Sequence, residues 1–252
     1  MNNPLSIALV MPVYNEESCI EDVTTSWRNF LGRFLGFGKF VMIIVNDGSH
    51  DNTGRLLEAL GQKFPELEII HQQNAGHGSA VVAGYRTALA MSPEYVFQVD
   101  SDNQFFPEDF ALLWDRRSEA DFILGLRQKR QDSLGRRVLT RTLRAGLYVS
   151  FGIYADVNSP FRLMRAGHLT QLLTGLPDKP TVIPNIFLTI LAKQAKSPIL
   201  QISVRHKPRT TGKVSILRWN LFKFCWISSL QLCKLRVKTL LPENTEIQTK
   251  AT

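Results

Sequence analysis

The sequence predicts an α/β fold in which a mostly parallel sheet is covered on both faces by helices, and three observations carry that expectation. Apolar runs of strand length alternate with segments of helical apolar spacing through the first 125 residues. That strand–helix order is the order of parallel strands joined by crossover helices. With 252 residues, 44% of them hydrophobic and 21% charged, the chain is long and apolar enough to bury the core of one large globular domain.

Strands are expected at residues 7–11, 40–45, 67–70, 95–99 and 122–124, and helices at 20–34, 53–64, 79–91 and 107–114. In such sheets ligands sit beyond the carboxyl ends of the strands, so the residues after each run matter most. They are polar and small: Pro12-Val13-Tyr14-Asn15-Glu16-Glu17 after the first, and Asn46-Asp47-Gly48-Ser49-His50-Asp51-Asn52-Thr53 after the second. Asn74-Ala75-Gly76-His77-Gly78-Ser79 follows the third and Asp100-Ser101-Asp102 the fourth. Taken singly, each loop reads as turn and cap chemistry. Asp100 and Asp102 ask for more, because two carboxylates one residue apart repel each other unless a cation or donor lies between them. Oxygen ligands with positions left open suit Mg²⁺ or Mn²⁺, which also grip substrate phosphates.

Three cysteines (Cys19, Cys225, Cys233) without paired spacing argue against a disulfide framework and a CxxC metal site, and fit a reducing compartment. The N-terminal apolar run lacks a basic flank and the length of a signal peptide, so a cytoplasmic chain is expected. The charge is split. Residues 1–125 hold 8 Lys and Arg against 17 Asp and Glu, a balance of −9, while residues 126–252 hold 22 against 5, a balance of +17. A cationic half suits an anionic membrane, a phosphorylated ligand or nucleic acid. Nucleic acid is not expected, since no binding module and no basic stretch interleaved with aromatics is present.

The strings PVYNEE, VNDGSHDNT, NAGHGSAVVAGYRTA and VDSDNQFFPED resemble, in order and spacing, the nucleotide-sugar domain of family 2 glycosyltransferases with the GT-A fold. The resemblance implies that Pro12, Tyr14 and Glu16 line a nucleotide pocket, that Asp47 binds the base, and that Gly76 and Gly78 let the backbone approach the donor. It implies that Asp100 and Asp102 hold the diphosphate through a metal, with Gln104 nearby. A divalent cation there would neutralise charge on the departing nucleoside diphosphate.

In the second half Arg127, Lys129, Arg130, Arg136, Arg137, Arg141 and Arg144 precede an apolar stretch at 145–155, a pattern suited to a helix lying in the headgroup zone of an anionic bilayer. The strings Asp156-Val157-Asn158-Ser159-Pro160-Phe161-Arg162-Leu163 and Val204-Arg205-His206-Lys207-Pro208-Arg209-Thr210-Thr211-Gly212-Lys213-Val214-Ser215 resemble segments of polyprenyl-phosphate and dolichyl-phosphate sugar transferases. By that likeness Arg127, Arg136, Thr140, Arg209 and Lys213 grip the lipid phosphate or the donor diphosphate. Pro160 stands where Gly is expected, and Asn185, in the helix after Pro184, where many relatives carry Glu.

A chemical argument also favours a phosphate acceptor. Transfer to a sugar hydroxyl needs a carboxylate base in reach, and residues 126–252 offer only Asp132, Asp156, Asp178, Glu243 and Glu246. A phosphate monoester is already an anion near neutral pH and needs cations to position it. The reading is an inverting transferase acting on polyprenyl phosphate, peripherally bound at the cytoplasmic face of a membrane. A saccharide-hydroxyl acceptor with Asp156 as base is the alternative. Residues 1–215 are expected to form the transferase domain, with a donor half at 1–125 and an acceptor half at 126–215. Residues 216–252 would form an amphipathic helix and polar tail, in which 219–235 is interrupted by Lys223 and Lys234 and falls short of the ~20 apolar residues of a membrane span. Guanosine and uridine diphosphate sugars are equally compatible with the donor motifs.

Overall fold

The computed structural model describes residues 5–127, 152, 157–176 and 183–208, all within one unit, Met1–Lys213. Its elements are β1 (Ile7–Val13), α1 (Ile20–Phe34), β2 (Phe40–Asp47), α2 (Thr53–Lys63), β3 (Leu67–Gln72), α3 (His77–Ala90) and β4 (Tyr95–Gln98). A 3₁₀ turn at Pro107–Asp109 runs into α4 (Phe110–Trp114), followed by β5 (Phe122–Arg127), β6 (Arg162–Arg165), α5 (Ala166–Thr174), α6 (Pro184–Gln194) and β7 (Ile199–Val204). The strands form one sheet in the order β3-β2-β1-β4-β6-β5-β7. β6 is antiparallel to β4 and β5, and the other pairings are parallel.

The period-2 geometry of the strands divides their apolar residues between two cores. Ile7, Leu9, Met11 and Val13 of β1 join Trp27 and Leu31 of α1, Leu57 of α2 and Phe110 of α4 on one face. Ala8 and Val10 join Val81 and Tyr85 of α3, Leu169 of α5 and Leu188 of α6 on the other. Burial on both faces explains why these strands read as unbroken apolar runs. In α1, Ile20, Val23, Thr24, Trp27 and Leu31 are buried at helical spacing, and the Trp27 ring packs 5.5 Å from Phe97 and 6.1 Å from Phe161. On the opposite face α3 approaches β1 so closely that a Cβ at Gly84 would collide with Val10 Cγ1.

The five strands and four helices expected from the sequence are all present, with shifted ends. α3 starts at His77 rather than at residue 79, and the segment 107–114 divides into a 3₁₀ turn and α4. β6, α5 and β7 have no counterpart in the sequence reading. For β6 the reason is Arg162, which occupies the first position of a four-residue strand yet is completely buried. Its guanidinium donates to the carbonyls of Ser159 (3.1 Å from Nε), Asn185 (3.1 Å) and Val157 (3.2 Å). A charge that apolar patterning assigns to solvent therefore ties the turn before β6 to the first turn of α6. Tertiary satisfaction overrides the charge signal here.

Candidate active site

The strand order places a topological switch point between β1 and β4: the chain proceeds outward from β1 through β2 to β3, then returns over the opposite face to β4. A crevice at the carboxyl ends is the expected ligand site of such a sheet. The loops after β1 and β4 face each other there, and Cys19 Sγ, at the start of α1, lies 3.6 Å from the Ser101 carbonyl.

The loops after β1, β2 and β3 hold one another. Asn15, at φ 54°, donates its backbone N–H to Ser49 Oγ (3.0 Å) and accepts from the His50 N–H (2.8 Å). Glu16 is buried, its N–H donating to Thr53 Oγ1 at 2.9 Å, while Glu17 Oε2 accepts from the Asn52 N–H at 2.9 Å. Pro12 lies within β1 opposite Val45, and the half-buried Tyr14 ring meets His50 edge-on at 6.2 Å. Asp47, at the end of β2 and buried, accepts from Gln72 Nε2 (2.6 Å) and from the N–H groups of Ala75 and Gly76 (both 2.9 Å). Its carboxylate thus shapes the turn into α3. Gly76 sits in that turn at φ 91°, a conformation that favours glycine, and Gly78 is buried in the first turn of the helix.

Across the crevice, Asp100 and Asp102 follow β4. Asp100 Oδ1 is a buried oxygen with no hydrogen-bond partner among the described residues, and exposed His77 Nε2 lies 3.9 Å away. Beneath it the Tyr85 hydroxyl donates to Gln98 Oε1. Burial pushes the Tyr85 phenol well above its ordinary range, with Arg162 opposing and Asp100 adding to the shift, so it stays protonated. No group of three or more His, Cys, Asp or Glu gathers as a metal site among the described residues. Asp100 and Asp102 offer two carboxylates, one with a buried oxygen unsatisfied. That fits Mg²⁺ or Mn²⁺ completing its shell with phosphates and water, and does not fit an all-protein cage.

The segment after β7 is tied to this pair through Gln104. Its N–H donates to Asp102 Oδ1 at 3.3 Å, its side chain donates to the Lys207 carbonyl at 3.1 Å, and its own carbonyl accepts the Lys207 N–H at 3.0 Å. Lys207 Nζ donates to Asn103 Oδ1 at 2.8 Å and lies 5.2 Å from the Phe106 ring centroid. Arg205 is anchored on the buried Asp109, donating from its backbone N–H (2.6 Å) and from Nε (2.8 Å), and its guanidinium lies 4.4 Å over Phe106. The Asp109 contact holds the guanidinium above its usual range. Arg127 ends β5 opposite Val204, which ends β7, so it enters the same rim. Arg136, Thr140, Asp156, Arg209 and Lys213 lie outside the described residues.

Sequence reasoning missed Asp109, Asn103 and Lys207. Asp109 resembles an ordinary acid at a helix start, and its partner stands 96 residues away. Lys207 belongs to the basic string already noted, and its alternation with Arg205 and Arg209 was the available signal.

A family model described as glycosyl transferase family 2 matches residues 8–179, well over half of the chain. The chain is 30% identical over 244 residues to the undecaprenyl-phosphate 4-deoxy-4-formamido-L-arabinose transferase of Pectobacterium atrosepticum, covering 94% of this chain and 71% of that one. It is 27% identical over 241 residues to the protein of that name from Pseudomonas aeruginosa, covering 93% and 68%. Among solved structures, glucosyl-3-phosphoglycerate synthase from Mycobacterium tuberculosis in complex with phosphoglyceric acid superposes with a TM-score of 0.65 at 21% identity, over 95% of this chain and 81% of that one. A further structure of that synthase, holding Mn²⁺, UDP-glucose and phosphoglyceric acid, gives a TM-score of 0.64 at 20% identity, with the same shares of the two chains covered. These superpositions agree with the GT-A fold that the sequence motifs imply. The extent of the family match settles the assignment: this chain is a glycosyltransferase and belongs to glycosyl transferase family 2.

Proposed function

We propose that the chain transfers a sugar, with inversion, from a nucleoside-diphosphate donor to a polyprenyl phosphate at a membrane surface. The observation that carries this reading is the seating of the basic segment 205–208 beside Asp102, through hydrogen bonds that converge on Gln104. One side of the crevice presents carboxylates and the other presents cations, and the names of the curated relatives specify undecaprenyl phosphate.

The donor lies across the loops after β1, β2 and β3, with Pro12, Tyr14, Glu16 and the loop held by Asp47 forming the nucleotide wall. Gly76 and Gly78 leave room for the backbone of the α3 turn to approach the donor. Asp100 and Asp102 would hold Mg²⁺ or Mn²⁺, which would supply positive charge to the leaving diphosphate. An oxygen of the lipid phosphate attacks the anomeric carbon. The bond from that carbon to the diphosphate oxygen breaks, and its electron pair leaves with the nucleoside diphosphate. No base is required, because the attacking oxygen is already anionic near pH 7, the second phosphate pKa being about 6. Arg127 and Lys207, with Arg136, Thr140, Arg209 and Lys213, position the acceptor phosphate or the donor diphosphate. Among the described residues no helix is long and apolar enough to cross a membrane, and the lipid substrate brings the protein to the cytoplasmic face as a peripheral enzyme.

The test is to incubate the protein with Mg²⁺ or Mn²⁺, bilayers containing undecaprenyl phosphate, and a panel of labelled nucleotide sugars. Label extracted into chloroform with matching nucleotide release is the expected result. Label found only on a water-soluble saccharide, in an assay where Asp156→Asn stops transfer, contradicts it and makes Asp156 the base for a hydroxyl acceptor.

A further inference from the structure

The end of β4 carries polar side chains into the face covered by α3. Val96 belongs to the core beneath α3 and Phe97 to the core beneath α1, so by the period of two Gln98 falls on the α3 side. The ladder continues one residue past β4. The Val99 N–H donates to the Val10 carbonyl at 3.1 Å, and Val99 packs with Phe97 on the α1 side. Asp100 therefore follows Gln98 on the α3 side, one step closer to the crevice.

Gln98 and Tyr85 are completely buried, and the Tyr85 hydroxyl donates to Gln98 Oε1. That bond fixes the amide, because its oxygen is committed to α3 and its nitrogen is turned away from the phenol. Gln98 Nε2 is buried with no hydrogen-bond partner among the described residues, and so is Asp100 Oδ1. One is a donor and the other an acceptor, on side chains two residues apart on one face. The Asp100 side chain is 30% exposed although Oδ1 is buried, so its carboxylate spans the interior and the crevice. His77 Nε2, 3.9 Å from Oδ1, lies beyond hydrogen-bond distance.

We infer that Gln98 is a positioning residue for Asp100, its amide N–H holding the inner carboxylate oxygen while the outer one takes a divalent cation, and that Tyr85 orients the amide for this task. The inference rests on the reading of Asp100 as a metal ligand. A carboxylate that ligates through one oxygen keeps its orientation only if the other is held, and the groups that hold it set metal affinity. An amide kept for packing alone would have both ends satisfied within the core. Here one end is anchored and the other is left to the neighbouring carboxylate.

Mn²⁺ binding in the presence of UDP or GDP, read from the electron paramagnetic resonance of the free ion, tests this on the full chain without any transfer reaction. Gln98→Met keeps the length of the side chain and removes the donor, and the Kd for Mn²⁺ should rise about ten-fold. Tyr85→Phe loses one oxygen and leaves the amide in place but unfixed, and should raise the Kd about three-fold. It is also the variant that decides the matter should Gln98→Met fail to fold. Because Tyr85 acts through Gln98, the double variant should bind Mn²⁺ no more weakly than Gln98→Met alone. Wild-type affinity in both single variants, or losses that add in the double variant, would overturn the positioning role. Asp100→Asn separates this from the metal assignment. If it binds Mn²⁺ as wild type does, the metal assignment and the positioning role fall together; if it binds weakly while Gln98→Met binds normally, only the positioning role falls.

Discussion

The loops after β1, β2 and β3 are held by one another, whereas the segment after β7 is held by its neighbour across the crevice. In the loops after β1, β2 and β3, Asn15, Glu17, Asp47 and Asp51 direct their side chains at backbone N–H groups of adjoining loops. This leaves a prearranged surface before any ligand arrives. In the segment after β7, Arg205 is gripped by Asp109 from a turn 96 residues away, and Gln104 links Lys207 to Asp102. The loops after β1, β2 and β3 therefore form an interlocked wall, and the segment after β7 a docked arm. A change in the wall should alter donor binding, and a change in the dock should alter acceptor binding.

The largest effect should come from the residue that the two sides share. Asp102→Asn should lower kcat by about 10³-fold, because the leaving diphosphate loses its charge partner, while thermal melting stays close to wild type. Nucleotide release measured with and without chelator checks this, and full activity in chelator would remove the metal assignment. Next, Arg162→Ala should destabilise the fold by about 3–5 kcal/mol in urea titration, since three backbone carbonyls lose a buried charged donor. A smaller loss would mean that the turn before β6 is held by something other than Arg162.

The comparison itself is sharpened by a pair of variants. Asp109→Asn should raise the acceptor KM about ten-fold and leave the donor KM alone, and Asp47→Ala should do the reverse, each removing one or two charge-assisted hydrogen bonds. If both variants shift both constants equally, the two sides act as one unit. The smallest effect concerns pH. His168 is buried, and burial holds its imidazole below the ordinary value of 6.5. The unfolded chain then binds the extra proton first as pH falls through that ordinary value, so stability should decline below it. Melting curves across that range should show the decline in wild-type protein and a flatter profile in His168→Gln.

The donor half was legible in the sequence because its chemistry is local. Each polar string follows its own strand, and the acidic pair sits within three residues, so order along the chain already gives order along the rim. The acceptor half was less legible for two physical reasons. β6 is four residues long with arginine at both ends, and Arg162 is satisfied by carbonyls that only the folded chain brings to it. The contact between Asp109 and Arg205 joins segments that no periodicity relates. Charge balance indicated that the second half would meet an anion, but its three-dimensional anchor lay in the first half.

In the proposed mechanism an acidic rim holds the departing diphosphate while a basic rim seats an acceptor that is already an oxyanion. Its most direct test compares undecaprenyl phosphate with the undecaprenyl alcohol as acceptor, with the same donor and Mn²⁺. Sugar transfer to the phosphate and none to the alcohol is the predicted result. Transfer to the alcohol at a comparable rate would show that the enzyme supplies its own base, and would contradict the account.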